Sequence, residues 1–323
     1  MRLTAGRGDH RKRLDRFLAD RLEDVSRSRV GAWIREGRVR IDGTQVRKAS
    51  RRLRPAEAVD VEPADPPPLA ARPEAIDLSV VYEDDHLAVI DKEAGMSVHA
   101  GAGTASGTLV NALLHRFARL SGVSGALRPG IVHRLDRFTT GVMVVAKHDR
   151  AHGRLQKQFQ RREVSKLYWA AVEGRLPSDP HDDARLLRHG RAVMRNGKWW
   201  LRLEMPIRRD KRNRVKMAAA LGGREAVSDV RALRSGGQSA LVEVRIHTGR
   251  THQVRVHLSS AGHPVVGDSL YGARRNRAGA PAPGRYLLHA RSLGFVHPET
   301  GEAVRFEAPP PRDFRAALLA LGL

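Results

Sequence analysis

A proline-rich segment in the first quarter of the chain restricts the fold more than any other feature of the sequence. Residues 63–73, PADPPPLAARP, hold five prolines in eleven positions. Because proline fixes φ and has no backbone N–H, such a run continues neither a helix nor a central strand, and it forms a semi-rigid linker. The chain has 323 residues, enough for two domains. We therefore predict a small domain over residues 11–62, a linker over 63–73 and a larger domain over 74–323.

The small domain has the pattern of two helices followed by a β-hairpin. Apolar residues at helical spacing are Leu14, Phe17, Leu18, Leu22 and Val25 in the first helix, and Val30, Trp33 and Ile34 in the second. Ser26 is a suitable N-cap for the second helix, and Gly37 ends it. Val39 and Ile41 alternate before an Asp-Gly pair, which is a strong hairpin signal.

The order of these segments resembles the S4 RNA-binding domain. The resemblance rests on LDRFLADRL, SRSRVGAWIREGRVRIDG and VRKASRRLRPAEAVDV, which cover most of the domain. It implies a small α+β fold with a basic face for RNA. We expect that face to include Arg27, Arg29, Arg35 and Arg38. A small charged domain without a ligand is the structural alternative.

The larger domain has many short strand patterns and fewer helix patterns. We predict strands in LSVVYE, HLAVIDK, GVMVVAK, SKLYWAAVEG, WWLRLEMPI, EAVSDVRAL, SALVEVRIHTG, YLLHARSLGFVH and EAVRFEAP, and helices in GTLVNALLHRFARL, DRAHGRLQKQFQRR, THQVRVHLSSAG and RDFRAALLALG. Helices interspersed irregularly among strands favour an α+β sheet over a doubly wound one. Residues 273–285 have few large apolar side chains, which predicts a mobile basic loop.

The charge of the chain favours a nucleic acid partner. Lys and Arg number 58 against 35 Asp and Glu, a formal net charge of +23. Phosphate contacts from such a surface supply much of the free energy of nucleic acid binding. The alternative explanation of the excess is a genome of high GC content, which raises the use of arginine without a role in binding. An anionic membrane surface is less well supported, because no basic helix has a bulky apolar face.

Several classes of protein are excluded or disfavoured by composition. The chain has no cysteine, which excludes disulfides, thiolate metal sites and cysteine nucleophiles. The first residues contain no apolar segment typical of a secretory signal, and no run approaches the ~20 apolar residues of a membrane helix. We expect a cytoplasmic monomer with no membrane association. We expect no metal, since His252 and His257 are five residues apart and would not share a helix face.

Three lone polar residues in apolar surroundings are candidates for catalysis. Asp136 precedes the valine-rich segment of residues 141–147, Tyr168 lies within a strand pattern, and Arg255 lies between two valines. A buried carboxylate needs an opposite charge, and a neighbouring arginine would supply it. Such a set suits catalysis by a carboxylate. Taken singly, each has a structural alternative: a turn acid, a core tyrosine and a surface arginine.

The sequence around Asp136 resembles the signature of the RluA family of pseudouridine synthases. That signature is His-Arg-Leu-Asp, two residues, Thr-Ser-Gly, and a strand that ends in Ala-Lys; here it is HRLDRFTTGVMVVAK, with Thr140 in place of serine. Five other segments agree in order: HLAVIDKEAGMSVHAG, SKLYWAAVEG, PIRRDKRNRVKMA, TGRTHQVRVHLSSAGHPVVGDSLYG and LLHARSLGFVHPETGE. The resemblance covers nearly all of residues 76–310.

The resemblance implies an α+β catalytic domain with a mixed, mainly antiparallel sheet, the pseudouridine synthase fold. It implies that Asp136 is the catalytic carboxylate and that Tyr168 packs on the uracil and acts as the base for the C5 proton. Arg255 would pair with Asp136, although Arg250 in the same motif is an alternative for that role. Arg134 would occupy the space left by the flipped base. We expect RNA contacts from His133, Arg134, Arg250 and His252.

The implied reaction is the isomerisation of uridine to pseudouridine, which needs no cofactor. The expected substrate is large-subunit ribosomal RNA, because the S4 domain adds a second basic surface. Transfer RNA is an alternative substrate, and a non-catalytic RNA-binding factor for ribosome assembly is an alternative function. Two routes stay open for Asp136: addition to the uracil ring, or removal of a ribose proton to give a glycal-like intermediate.

Overall fold

The structure is a computed structural model that describes residues 1–22, 25, 27–63, 71–99, 104, 106–124, 128–272 and 284–323, except the side chains of residues 28 and 29. The chain divides into two compact units, Met1–Leu69 and Ala70–Leu323. Four sequence predictions fall outside the described residues: the Ser26 cap, the Arg29 side chain, most of the linker and most of the 273–285 loop.

The first unit packs two helices on a four-stranded antiparallel sheet. Its elements are β1 (Arg2–Thr4), α1 (Leu14–Arg21), α2 (Arg27–Arg35), β2 (Val39–Ile41), β3 (Thr44–Gln45) and β4 (Ala58–Val61). The strand order is β1-β4-β2-β3. The predicted apolar positions of both helices and the hairpin form one core, with Leu22 and Val25 at its edge. Strand β1 precedes the range predicted for this domain, and it pairs with β4.

The second unit contains a ten-stranded sheet and a separate two-stranded sheet. Its strands are β5 (Ser79–Glu83), β6 (Leu87–Lys92), β7 (Thr140–Ala146), β8 (Ser165–Glu173), β9 (Arg191–Arg195), β10 (Lys198–Glu204), β11 (Ile207–Arg209), β12 (Met217–Ala219), β13 (Val227–Gly236), β14 (Ser239–Ile246), β15 (Leu288–Val296) and β16 (Ala303–Glu307). Its helices are α3 (Leu109–Arg116), α4 (Asp149–Arg161), α5 (Ala184–Leu187), α6 (Gln253–Ser260) and α7 (Arg312–Ala320). Among the described residues, no helix has the length and apolar character needed to cross a bilayer.

The large sheet is mixed and mainly antiparallel, which confirms the predicted fold class. The order is β5-β6-β7-β15-β8-β14-β13-β10-β9, with β16 on β15, and β11 pairs with β12 separately. Strand β7 is parallel to β15, and the other pairs are antiparallel. The segment WWLRLEMPI, predicted as one strand, forms two strands, β10 and β11, interrupted at Met205 and Pro206. Proline cannot donate to the ladder, so the pairing is interrupted there.

Strand β7 is buried at all seven positions because helices cover both faces of the sheet beside it. Met143 and Val145 pack into a core cluster that includes residues of α3. Val142 and Val144 point to the other face, into a cluster that includes Leu155 of α4. The continuous apolar run predicted from the sequence therefore fits a central strand with no solvent face.

Gly141 lies at the one parallel pairing of the sheet, at the start of β7. It is paired with Ala290 of β15. Its φ is +108°, a conformation that favours glycine, and an added Cβ would lie 2.2 Å from the carbonyl oxygen of Ala290. The glycine of the Thr-Thr-Gly sequence thus permits the close approach of two central strands.

We expect Gly141→Ala to destabilise the protein by about 2–3 kcal/mol, because it combines backbone strain with a backbone clash. Gly153→Ala is the control, since that position is in the interior of α4 and an added Cβ meets no atom within 4 Å. The free energy of unfolding of the control should be about 0.5–1 kcal/mol higher than that of the wild type, because alanine has a higher helix propensity than glycine. Urea unfolding of the two variants measures the difference, and equal stabilities would contradict the role given to Gly141.

Candidate active site

Asp136 lies in a loop that enters β7, and the backbone of this loop is fixed from two sides. The N–H of Thr139 donates to the carbonyl of Asp136 at 3.0 Å. The buried Nζ of Lys92, at the end of β6, donates to the carbonyl of the next residue, Arg137, at 3.1 Å, and to those of Glu93 and Met96. Burial lowers the pKa of Lys92 to about 7, but three carbonyl acceptors match the three N–H donors of its ammonium form.

Arg255, on α6, lies between two carboxylates. Its Nε and Nη2 donate to Asp268 at 2.7 and 3.0 Å, and its Nη1 donates to Oδ2 of Asp136 at 3.4 Å. The sequence predicted Asp136 as the partner of this arginine. The structure adds Asp268 as the closer, bidentate partner, so the arginine is positioned by one acid and directed at the other.

The guanidinium of Arg255 also lies over two aromatic rings. Its Cζ lies 4.0 Å from the ring centre of Tyr286 and 4.9 Å from that of Tyr271. Desolvation lowers the pKa of Arg255, but hydrogen bonds and charge from Asp268 outweigh it and raise the pKa above its ordinary value. The arginine is therefore a permanent positive charge fixed beside Asp136.

Tyr168, on β8, is only 8% exposed, and it lines the same cavity as Asp136. Burial, and to a lesser degree the negative charge of Asp136, raise the pKa of its phenol well above the ordinary value. At neutral pH the hydroxyl is therefore protonated and can donate a hydrogen bond. It can accept a proton only if its own proton leaves in the same step.

His252 is the residue before α6, and it adopts the left-handed conformation with φ +57°. Its Nδ1 lies 2.8 Å from the hydroxyl of Tyr271, and its Nε2 lies 3.9 Å from Oδ2 of Asp136. Burial lowers the pKa of its ring, while the charge of Asp136 acts in the opposite direction. The imidazole therefore lies within reach of the carboxylate and of anything bound to it.

These residues line a cavity of about 490 Å³ that is strongly cationic. Its basic lining residues are Arg134, Arg162, Lys166, Arg224, Arg250 and Arg255, with His133, His247 and His252 beside them. Asp136 is the one carboxylate among the described lining residues. A single acid in such surroundings is well placed for carboxylate chemistry on a polyanionic ligand.

The structure brings seven of the predicted residues together in this cavity. These are His133, Arg134, Asp136, Tyr168, Arg250, His252 and Arg255. The ring of His133 stacks on Phe159 and accepts a hydrogen bond from the N–H of Val144. Burial, with a smaller effect of Lys166, lowers its pKa to about 3, which keeps this acceptor neutral. Arg250 donates to the carbonyl of Glu225 at 2.8 Å.

The basic residues predicted for the small domain are in the first unit. Arg27 donates to the buried carboxylate of Asp15 at 2.9 Å, and Arg38 donates to Glu36 at 3.1 Å. Arg35 is exposed. Their contacts with RNA stay a prediction.

No pattern in the sequence predicted a role for Asp268, Lys92 or Lys166. Asp268 and Lys92 belong to segments that carry the family resemblance, but nothing local shows which distant group they contact. Lys166 has one local signal: it precedes Tyr168 by two residues in a strand, so both side chains point to the same face.

The fold and the cavity agree with the comparisons with known proteins. Residues 86–260 match the sequence model of the RNA pseudouridylate synthase family, and residues 12–59 match that of the S4 domain. The chain belongs to the RNA pseudouridylate synthase family and carries an S4 domain before its catalytic domain. It is an RNA pseudouridine synthase, an isomerase.

Several relatives match along most of their length. Ribosomal large subunit pseudouridine synthase D of Zymomonas mobilis is 40% identical over 311 residues, which cover 94% of this chain and 92% of that protein. The uncharacterized RNA pseudouridine synthase YlyB of Bacillus subtilis is 39% identical, with 96% and 94% covered. The structure of human RNA pseudouridylate synthase domain containing 1 has a TM-score of 0.55 and 26% identity, with 77% of this chain and 87% of that chain covered.

We expect Asp268→Asn to lower the turnover of RNA strongly and to destabilise the protein by about 3 kcal/mol, because it leaves a buried guanidinium without its bidentate partner. Asp268 is not among the residues that line the cavity, so KM should change less than kcat. Glu243→Gln is the control, since it removes the charge partner of Arg231 outside the cavity. Equal losses of kcat in the two variants would contradict a positioning role for Asp268.

The fully buried ring of His257 on α6 predicts a loss of stability in mild acid. Its two nitrogens lie 3.0 Å from the hydroxyl of Ser228 and the carbonyl of Met205, and burial lowers its pKa to about 4. Its contribution is complete above its unfolded pKa of about 6.5, where both states are neutral. As pH falls towards 4, only the unfolded state binds the proton, so this contribution is lost.

Urea unfolding at pH 7 and pH 5 tests this expectation. This histidine should account for a loss of about 2 kcal/mol between the two values, since one pKa unit corresponds to about 1.4 kcal/mol. His257→Gln should be less stable than the wild type at pH 7, but it should lose about 2 kcal/mol less on acidification. An identical pH dependence of the two proteins would refute this assignment.

Proposed function

We propose that this enzyme converts specific uridines of large-subunit ribosomal RNA to pseudouridine, with Asp136 as the catalytic carboxylate. The observation that carries the proposal is the cavity itself: one carboxylate, paired with a fixed arginine, lies beside a tyrosine and is surrounded by cations. Such a cavity attracts a nucleotide through its phosphates, while the single acid is left for the reaction.

The reaction requires a base that is turned out of the RNA stack. Removing a nucleotide from its stack costs a few kcal/mol, which contacts with the phosphate backbone offset. Arg134 is exposed at the cavity, and no described residue forms a hydrogen bond or ion pair with its side chain. We infer that it enters the space that the flipped uridine vacates.

The bond changes in the reaction are balanced without a cofactor. The N1–C1′ glycosidic bond breaks, the uracil turns, a C5–C1′ bond forms, and the C5 proton moves to N1 of the ring through a base and solvent. Asp136 acts either by adding to the ring or by removing a ribose proton. Both routes need an ionised carboxylate, and the Nη1 of Arg255 donates a hydrogen bond to Oδ2 of Asp136 at 3.4 Å.

Tyr168 supplies the surface on which the uracil rests and a hydroxyl close to the reacting ring. The raised pKa of this phenol means that it begins the reaction protonated. We propose that it acts in the removal of the C5 proton by passing its own proton on as it accepts the new one. This relay uses the hydroxyl as both donor and acceptor.

Ribosomal RNA is the proposed substrate because relatives similar along most of the chain are named for the large ribosomal subunit. The S4 domain would add a second RNA contact beyond the cavity. A cytoplasmic location and a monomeric state remain predictions from the sequence.

The proposed function is tested by mapping pseudouridine in unmodified transcripts of large-subunit ribosomal RNA and of transfer RNA. Each transcript is incubated with the purified protein, and carbodiimide-blocked positions are then located by primer extension. We expect modified uridines at a few sites in the ribosomal transcript. Modification confined to transfer RNA would reassign the substrate, and modification of neither would refute the proposal.

We expect Asp136→Asn to abolish product formation while RNA affinity changes little, because asparagine has nearly the same shape but neither adds as a carboxylate nor accepts the proton. Asp182→Asn is the control, since this aspartate is exposed and does not line the active-site cavity. Binding and product are measured on the same ribosomal transcript. Normal product from the Asp136 variant would remove this residue from the mechanism.

A further inference from the structure

The side chain of Lys166 is buried, and no described residue neutralises its positive charge. This residue, the second of β8, is 9% exposed and lines the active-site cavity. Its Nζ lies 5.8 Å from the ring centre of Phe159, and no described residue forms a hydrogen bond or ion pair with it. An ammonium group that is removed from water without an anion beside it raises the free energy of the folded protein. The position of Lys166 therefore needs a physical explanation.

Other buried cations of this unit have partners, which makes Lys166 an exception among the described residues. Arg255 is bound by Asp268, Lys92 by three carbonyls, and Arg285 by Asp313 at 2.7 Å. Each of these cations has at least one oxygen partner inside the protein. Lys166 instead lines the open cavity, and the described residues offer it no oxygen partner.

Two arginines near Lys166 make this part of the cavity more positive. Burial, together with the charges of Arg162 and Arg250, lowers the pKa of its ammonium to about 8. The carboxylate of Glu225 is occupied by Arg162 at 2.7 Å and is exposed, while Arg250 uses its Nε on the carbonyl of Glu225. The charges of Arg162 and Arg250 therefore act on Lys166, and the Glu225 carboxylate beside these arginines is already paired.

The strand places this cationic group at a fixed distance from the catalytic residues. Lys166 and Tyr168 are alternate residues of β8, so they point to the same face with their Cα atoms about 6.7 Å apart. A nucleobase and its own backbone phosphate are separated by a comparable distance. A base on Tyr168 would thus bring a phosphate within reach of Lys166.

We propose that Lys166, with Arg162 and Arg250, binds a backbone phosphate at or next to the target uridine and so positions its base on Tyr168. This inference rests on the proposed function, since it assumes that the reacting uridine lies in this cavity. Lys166 is then a binding and positioning residue, and its cost to the free protein is offset when RNA is bound.

The test uses Lys166→Met, which keeps an unbranched side chain one atom shorter and removes its charge. Because the variant has no buried charge to desolvate, its Tm should be higher than that of the wild type. Its affinity for a ten-residue oligouridylate should be roughly tenfold weaker, as expected for the loss of one charged hydrogen bond. The slope of log affinity against log salt should fall by about one.

Lys198→Met is the matched control, because Lys198 is an exposed lysine of the same sheet outside the cavity. It should leave Tm, affinity and the rate of product formation near the wild-type values. On a ribosomal transcript, Lys166→Met should raise KM at least tenfold with a smaller change of kcat. Wild-type affinity and KM in Lys166→Met would overturn the proposal, as would a lower Tm, which indicates a structural role.

A second arm separates RNA from a free anion. If inorganic phosphate at constant ionic strength raises the Tm of the wild type, and Lys166→Met loses that effect but binds RNA normally, the site is one for free phosphate and the RNA proposal fails. Binding at the phosphate site can also be judged separately from the modification reaction. If the wild type modifies no RNA while Lys166→Met still loses affinity for oligouridylate, the phosphate site stands and the proposed function fails.

Discussion

The guanidinium of Arg255 is removed from water and kept charged by Asp268, and the geometry of the active site follows from this pair. The two hydrogen bonds fix the plane of the guanidinium, and the ring centres of Tyr271 and Tyr286 lie 4.9 and 4.0 Å from its Cζ. The remaining Nη1 is thereby directed at Asp136. Since α6, residues between α6 and β15, and the loop before β7 all contribute, the carboxylate is positioned by the packed domain rather than by its own loop.

The sheet explains why this position can be held. Strand β7 is covered on both faces and pairs in parallel with β15 at Gly141, so the loop that carries Asp136 is attached to a fully buried central strand. Lys92 fastens the same loop from β6. Rigid elements on both sides reduce the reorganisation that the reaction would otherwise require.

The cations of the cavity fall into two groups with different roles. Arg255 and Lys92 form hydrogen bonds with groups of the protein and fix the positions of neighbouring active-site residues. Among the described residues Lys166 has no such partner, and Arg134 is exposed, so we propose that both charges are available to RNA. In this proposal, phosphate contacts of these cations offset the free energy needed to lift a uridine from its stack.

The sequence by itself determined the local structure: helical spacing placed α1, α2 and α4, the valine run placed β7, and the ordered motifs indicated Asp136, Tyr168 and Arg255. Short strands such as β1, β9 and β12 escaped prediction because three to five residues carry too little periodicity. Only the tertiary structure showed that Asp268 binds Arg255 and that no described carboxylate pairs with Lys166. Local pattern reports which face of an element is buried, whereas the partner of a buried charge depends on sheet order and on residues far away in the chain.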